Sequence, residues 1–176
     1  MSRVEPGSVL PLVAGVSRLL LRVPVAWAWA PVALWCGLIW KLGSTPPPRV
    51  GVRGVLGSFL ANLAHAPEYG VLALLLALAT PRREGWPDLR PRIVLLLLCG
   101  VATFGLVDEV HQSFTPGRRA SPFDVLTDVA GAAATLACIR EAGGPAASGR
   151  GFARAFALGL IACAAAAGLA TWADRS

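Results

Sequence analysis

The chain has 176 residues, of which 55% are hydrophobic and only 15% charged, with a mean hydropathy of +0.61. An ordinary soluble domain carries roughly 25% charged residues, so the composition speaks against a water-soluble globular fold and for a membrane protein. The formal charge of +6 is basic, but the cations, all arginine except Lys41, sit between apolar runs rather than on a stripe with exposed aromatics, which argues against a nucleic-acid partner.

In chain order, the first apolar stretch, Val9 to Leu21, is broken by Pro11, Gly15 and Arg18. No clean apolar region precedes the small-residue run AWAWA at 26–30, so no cleaved leader is expected. Five candidate spans follow: Val25–Leu42, about Leu63–Thr80, Arg92–Gln112, Phe123–Ile139 and Phe152–Trp172. Each approaches the ~20 residues that a helix rising 1.5 Å per residue needs to cross a ~30 Å hydrocarbon core. Trp40, Trp86 and Trp172 fall at or near span ends, where an amphipathic ring sits at headgroup level. Gly and Ala enrich the last two spans and permit close helix approach. Cys36, Cys99, Cys138 and Cys163 each lie alone in an apolar run and read as small buried hydrophobes, not as a disulfide or metal set.

The reading is an all-α, polytopic transmembrane bundle of four core helices plus a fifth. Residues 1–24 form a cytoplasmic N-terminal segment, 25–140 the membrane domain, 141–151 (within EAGGPAASGRG) a flexible loop, and 152–176 the additional helix and a short tail. The arginines of the N-terminal segment, of the 82–92 loop (Arg82, Arg83, Arg90, Arg92) and of 140–154 outnumber those on the opposite side. The positive-inside rule therefore places the N-terminus in the cytoplasm.

Alternation of helices then brings four span ends to the outer face, and the unusual polar residues lie at those ends. Span one ends with Ser44 and Thr45. Span two opens with His65, Glu68 and Tyr69 at i, i+3 and i+4, on one helical face. Span three ends with Asp108, His111 and Gln112 sharing a face, while Glu109 points away and reads as a solvated acid. Span four opens with Ser121 as N-cap, Pro122 at the first helical position and Asp124 near the positive end of the helix dipole. Asp124, Asp128 and Gly131 then fall on one seam. An ionisable group at mid-membrane costs about 2.5–3.5 kcal/mol on insertion scales, so these groups are expected to face one another or a wet cavity, paired with Arg118 or Arg119. Singly, each has a plain structural role: Asp124 as a first-turn acid, the histidines as packing residues, Pro67 as a first-turn proline, the arginines as lipid-phosphate contacts.

The segments HAPEYG and DEVHQSFTPGRRASPFDVLTDVAGA resemble the VanZ-like family of small bacterial integral membrane proteins, over roughly residues 34–139. The resemblance marks His65, Glu68 and Tyr69, then Asp108, Glu109, Gln112, Pro116, Gly117, Arg118, Ser121, Asp124 and Gly131. Two departures stand out: Asn62 where a lysine is often found, and Asp128 where asparagine is usual. Both make the corner more acidic and tell against a simple anionic ligand. The first namesake of the family is associated with low-level teicoplanin resistance, which implies a role in the cell envelope.

The residues leave three functions open. The first is an outward polar pocket, comprising His65, Glu68, Tyr69, Asp108, Glu109, Gln112, Arg118, Asp124 and Asp128. It would bind a lipid headgroup, a lipid-linked wall precursor or an amphiphilic glycopeptide antibiotic. The second is a membrane hydrolase or transferase acting on lipid-linked phosphates, with His65 or His111 as general base and a carboxylate such as Asp108 orienting it. His65, His111 and carboxylates would be its metal ligands in one variant, but no H-E-x-x-H or G-x-S-x-G spacing is present, and no metal or other cofactor is expected. The third, a transporter, is disfavoured because no second homologous half is visible.

Overall fold

The computed structural model describes residues 21, 23–46, 54–118, 120–143 and 147–174. Most of the Val9–Leu21 stretch, together with Arg3, Arg18, Arg22, Arg49, Arg53, Arg119 and Arg175, lies outside them. Among the described residues there are five helices: α1 (Val25–Gly43), α2 (Val55–Leu78), α3 (Pro91–Gln112), α4 (Asp124–Ala142) and α5 (Gly149–Ala173). A two-residue antiparallel hairpin, β1 (Arg82–Arg83) and β2 (Trp86–Pro87), joins α2 to α3. The architecture is the all-α bundle expected.

Four of the helices, α1, α2, α3 and α5, are long and apolar enough to cross a membrane, which makes this a multi-pass membrane protein. They include the alanine-rich last helix. The exception is α4, whose 19 residues carry Asp124, Asp128, Arg140 and Glu141. Its buried residues, Asp124, Thr127, Asp128, Gly131, Ala132 and Leu136, recur at helical spacing on one face, and that face is turned inward against the other helices. Neighbouring helices rather than lipid surround its acids.

Helix boundaries differ from the sequence reading at two functional places. The second helix starts at Val55, not near Leu63, because the apolar run after Gly54 (φ 77°) is already helical. Pro67 is therefore an interior proline, not a first-turn one, and it removes the N–H that would bond the Leu63 carbonyl. Ser121 and Pro122 belong to a turn before α4, which begins at Asp124 with no side-chain cap. At the other end of the chain, α4 continues to Ala142, and α5 opens at Gly149, where Ser148 Oγ accepts from the Gly151 N–H at 2.9 Å.

Small residues set the helix spacing. A Cβ on Gly131 would collide with the Ala66 backbone of α2; one on Gly70 would come within 2.9 Å of Thr135 Oγ1, and one on Gly159 within 2.6 Å of Ala134 Cβ. These contacts hold α4 between α2 and α5. The core between them contains Ile39, Tyr69, Leu72, Val101 and Leu136. Leu34, Leu95, Leu96 and Ile161 point outward, the face offered to lipid tails. Of the cysteines, all free, Cys163 alone is buried and Cys99 is exposed, because its position on α3 faces away from the bundle.

Contacts at the two ends establish that the helices alternate. At one end, Trp86 of the hairpin donates from Nε1 to the Ile139 carbonyl at 3.2 Å. Arg90 donates to both Asp88 oxygens there and holds that carboxyl below the usual carboxylate range. At the other end, Asn62 of α2 donates to Thr171 Oγ1 of α5 at 3.2 Å, and Thr115 Oγ1, beyond α3, donates to the Gly43 carbonyl of α1 at 3.0 Å. The C-termini of α1, α3 and α5 and the N-termini of α2 and α4 thus share one end, the one that carries the polar residues.

Candidate functional site

The polar end is organised by two networks. The first fixes α1 to the α3–α4 connection. Thr115 to Arg118 form a turn closed by the Arg118 N–H on the Thr115 carbonyl at 3.1 Å, with Pro116 second and Gly117 third. Gly117 has φ 85°, a left-handed conformation that residues with a Cβ seldom adopt. The turn delivers the Arg118 guanidinium to the C-terminus of α1, where Nη2 donates to the Leu42 carbonyl at 2.7 Å and Nε to the Thr45 carbonyl at 3.1 Å. Its Nη1 donates to Gln112 Oε1 at 3.0 Å, and Gln112 Nε2 donates to Asp108 Oδ2 at 2.7 Å. Arg118 therefore clamps carbonyls at and just beyond the end of α1, where the Leu42 carbonyl also accepts from the Thr45 N–H and Oγ1, and it reaches an acid only through Gln112. The expected direct pairing of Arg118 with the site's acids is not found; Arg119 lies outside the described residues.

His111 belongs to this first network. Its ring stacks on Trp40 with centroids 3.6 Å apart, and its Nε2 lies 2.8 Å from Ser44 Oγ. Asp108, His111 and Gln112 share one face, as their spacing suggested, and all three lie beside Gly43 at the end of α1.

The second network lies between α2, α3 and α4. His65 Nδ1 sits 3.0 Å from Asp128 Oδ1, an ion pair when the ring is protonated, with Asp128 only 1% exposed. Glu109 does not point to solvent as its spacing suggested; it is 4% exposed, and its Oε2 accepts from the Ser121 N–H at 2.8 Å. One ligand atom from each of His65, Glu109 and Asp124 lies within 4.8 Å of the others. Asp128 is crowded from α3 as well, since a Cβ on Gly105 would approach its Oδ2 to 2.5 Å. Gly43 plays the corresponding part for Asp108, at 3.0 Å from Oδ1.

Several buried polar atoms here make no hydrogen bond among the described residues: Tyr69 OH, Asp108 Oδ1, Asp124 Oδ1, Thr127 Oγ1 and Asp128 Oδ2. Most buried polar atoms in folded proteins are satisfied, so these five stand out. Glu68 is partly buried at the same end, and Tyr69, 1% exposed, packs against Phe104. The sequence reading missed Gly43, Gly105 and Thr127; the only sequence signal for Thr127 is its place one residue before Asp128 on the seam.

A model of the VanZ/LLP1 family matches residues 12–142, well over half of the chain. The chain belongs to the VanZ/LLP1 family. No curated protein and no solved structure matches it. The family match takes in α1 to α4 and every residue of both networks, and leaves α5 outside. The two departures from the VanZ-like pattern now have structural places. Asp128 supplies the carboxylate to His65. Asn62 bonds Thr171 and, at 3.4 Å, Asp174 Oδ2, so it ties the family's helices to α5.

Proposed function

We propose that this VanZ/LLP1 protein is a component of the bacterial cell envelope whose polar end binds the headgroup of an amphiphile lying along the bundle. The observation that carries this reading is the set of buried oxygens without partners at a bundle end, beside an apolar groove. The groove, about 1150 Å³, runs between α2 and α5 over α4; Leu63, Pro67, Gly131, Ala134, Phe156 and Leu160 are among its walls. Pro67 is two residues from His65 and Gly131 three from Asp128, so a tail in the groove puts a headgroup near the His65 end. Phosphatidylglycerol, sugar- and peptide-bearing lipid-linked wall precursors and glycopeptide antibiotics carry the hydroxyl, amide or amine donors that unpartnered carboxylate oxygens accept.

In this reading the polar end faces out of the cell. The arginine-rich 82–92 loop and Arg140 lie at the opposite end and take the cytoplasmic side. A thiol-reactive, membrane-impermeant label added to whole cells should modify Ser113→Cys, in a chain stripped of its four cysteines, and not Arg83→Cys; the reverse pattern would refute the orientation.

Binding is tested by native mass spectrometry of purified protein offered polyprenyl phosphate, phosphatidylglycerol or teicoplanin in turn. Ala164→Trp fills the groove from an exposed position on α5, and Glu109→Gln changes the polar end. Each should reduce retention of one of these amphiphiles about tenfold or more. Equal retention by the natural chain and both variants would defeat the proposal. Release of inorganic phosphate from the polyprenyl lipid in the same samples would shift the reading to the hydrolase alternative, which the His65–Asp128 pair favours because a carboxylate on Nδ1 is how a histidine base is oriented.

A further inference from the structure

The headgroup reading leaves a physical difficulty. Glu68, Asp108, Glu109, Asp124 and Asp128 gather at one end of an apolar bundle around His65, and Arg118 is engaged with the Leu42 and Thr45 carbonyls and Gln112. Among the described residues no arginine or lysine pairs with any of these acids. Carboxylates placed together in a low-dielectric setting need a positive partner or they do not stay ionised.

We propose that His65, Glu109 and Asp124 bind one divalent first-row cation, with Asp128 holding the His65 ring. This deepens the reading of the same site and rests on it only for the identity of what meets the ion from outside. The three side chains come from α2, α3 and α4, one each, and their donor atoms already lie within 4.8 Å of one another. Ligands at ~2.0–2.2 Å from a common ion are separated by up to ~4.4 Å, so small side-chain rotations close the shell. Asp124 is 6% exposed, and its Oδ1 accepts no hydrogen bond among the described residues. Glu109 is fixed by its bond from the Ser121 N–H, which leaves its other oxygen for coordination.

His65 is held as metal-bound histidines are. Its Nδ1 is on Asp128 Oδ1 at 3.0 Å, which leaves Nε2 as the nitrogen available to a metal. Such a carboxylate on the distal ring nitrogen fixes tautomer and orientation and raises the ligand's basicity. Two carboxylates and a neutral imidazole around a doubly charged ion give a neutral centre, which offsets the cost of burying Glu109 and Asp124. One nitrogen and two oxygens suit Zn²⁺ or Mn²⁺ rather than Ca²⁺ or Mg²⁺. Three protein ligands leave a position open, and a phosphate or hydroxyl oxygen of a headgroup is the class of ligand that would fill it. The ion thereby supplies the positive centre that Arg118 does not. The sequence alone gives no metal spacing because the ligands are 44 and 15 residues apart along the chain and meet only in the bundle.

The test uses the full chain purified in detergent, stripped with a chelator and dialysed, then titrated calorimetrically with ZnCl₂ and, separately, MnCl₂ without any lipid. One ion per chain is expected for at least one metal. Asp128→Asn should weaken binding about 10–100-fold, His65→Ala and Glu109→Gln should abolish stoichiometric binding, and His111→Ala should leave it unchanged. Circular dichroism checks that each variant keeps its helix content. The natural chain taking up neither metal at one equivalent overturns the proposal, as does undiminished binding by a helical His65→Ala chain. Since no amphiphile is present, that failure is separate from failure of the headgroup reading, which is measured by lipid retention.

Discussion

Gly131→Leu is expected to prevent the bundle from assembling normally, with a loss on the order of 3 kcal/mol or more, the upper range for overpacking. The reason lies in how close two backbones come. The Cβ that any other residue would carry at 131 points into the carbonyl and Cα of Ala66 on α2, and neither atom can rotate away as a side-chain tip could. Making room requires α4 to move off α2, and that motion would also pull Asp128 from His65, one turn along the same interface. Gly131→Ala should show the same effect more weakly. Gly100→Ala and Gly168→Ala are the matched controls, because a Cβ at either position meets nothing within 4 Å; they should be neutral or slightly stabilising through helix propensity. Thermal unfolding in detergent, followed by circular dichroism, separates the outcomes. A Gly131→Leu chain as stable as the controls would mean that α2 and α4 do not meet at this point.

The difference between Gly131 and Gly100 also shows what was legible in the sequence. Hydropathy and length revealed the helices, and helical periodicity put Asp124, Asp128 and Gly131 on one seam, which is the seam that is buried. Alternation of five helices was enough to bring the ends of α1 and α3 and the starts of α2 and α4 together. Periodicity says which residues share a face, however, and not which neighbour that face meets. The end of α3 is wedged between α1 and α4, so it has two interior sides: His111 turns to Trp40 and Ser44, while Glu109 turns to Ser121. Reading a single buried face there kept Asp108, His111 and Gln112 together, as they are beside Gly43, but assigned Glu109 to solvent when it is buried on the Ser121 N–H. Arg118 shows a second limit. From composition an arginine beside acids is their counterion, but three of its donors go to two carbonyls at and just beyond the end of α1 and to Gln112, contacts that sequence spacing does not display. Asn62 gives a third case, since its partners Thr171 and Asp174 lie more than a hundred residues away.

His65 and Asp128 are expected to be strongly coupled, and a double-mutant cycle measures it. With a chelator present so that no ion contributes, His65→Ala leaves Asp128 buried at 1% exposure without its partner, and Asp128→Ala leaves the His65 ring among the remaining acids with its nearest counter-charge removed. Removing one member of a buried pair costs about 3–5 kcal/mol, much of it the stranding of the survivor. Removing both strands neither, so the double variant should be far less destabilised than the sum of the singles, with a coupling of about 1–3 kcal/mol. Unfolding of the four proteins in the same detergent gives this number directly. Additivity to within about 0.5 kcal/mol would show that the 3.0 Å contact contributes little to holding α2 against α4. A large coupling would establish that α2 and α4 are joined at this depth by a charged pair as well as by the Gly131 contact, which is what fixes the His65 ring beside Glu109 and Asp124.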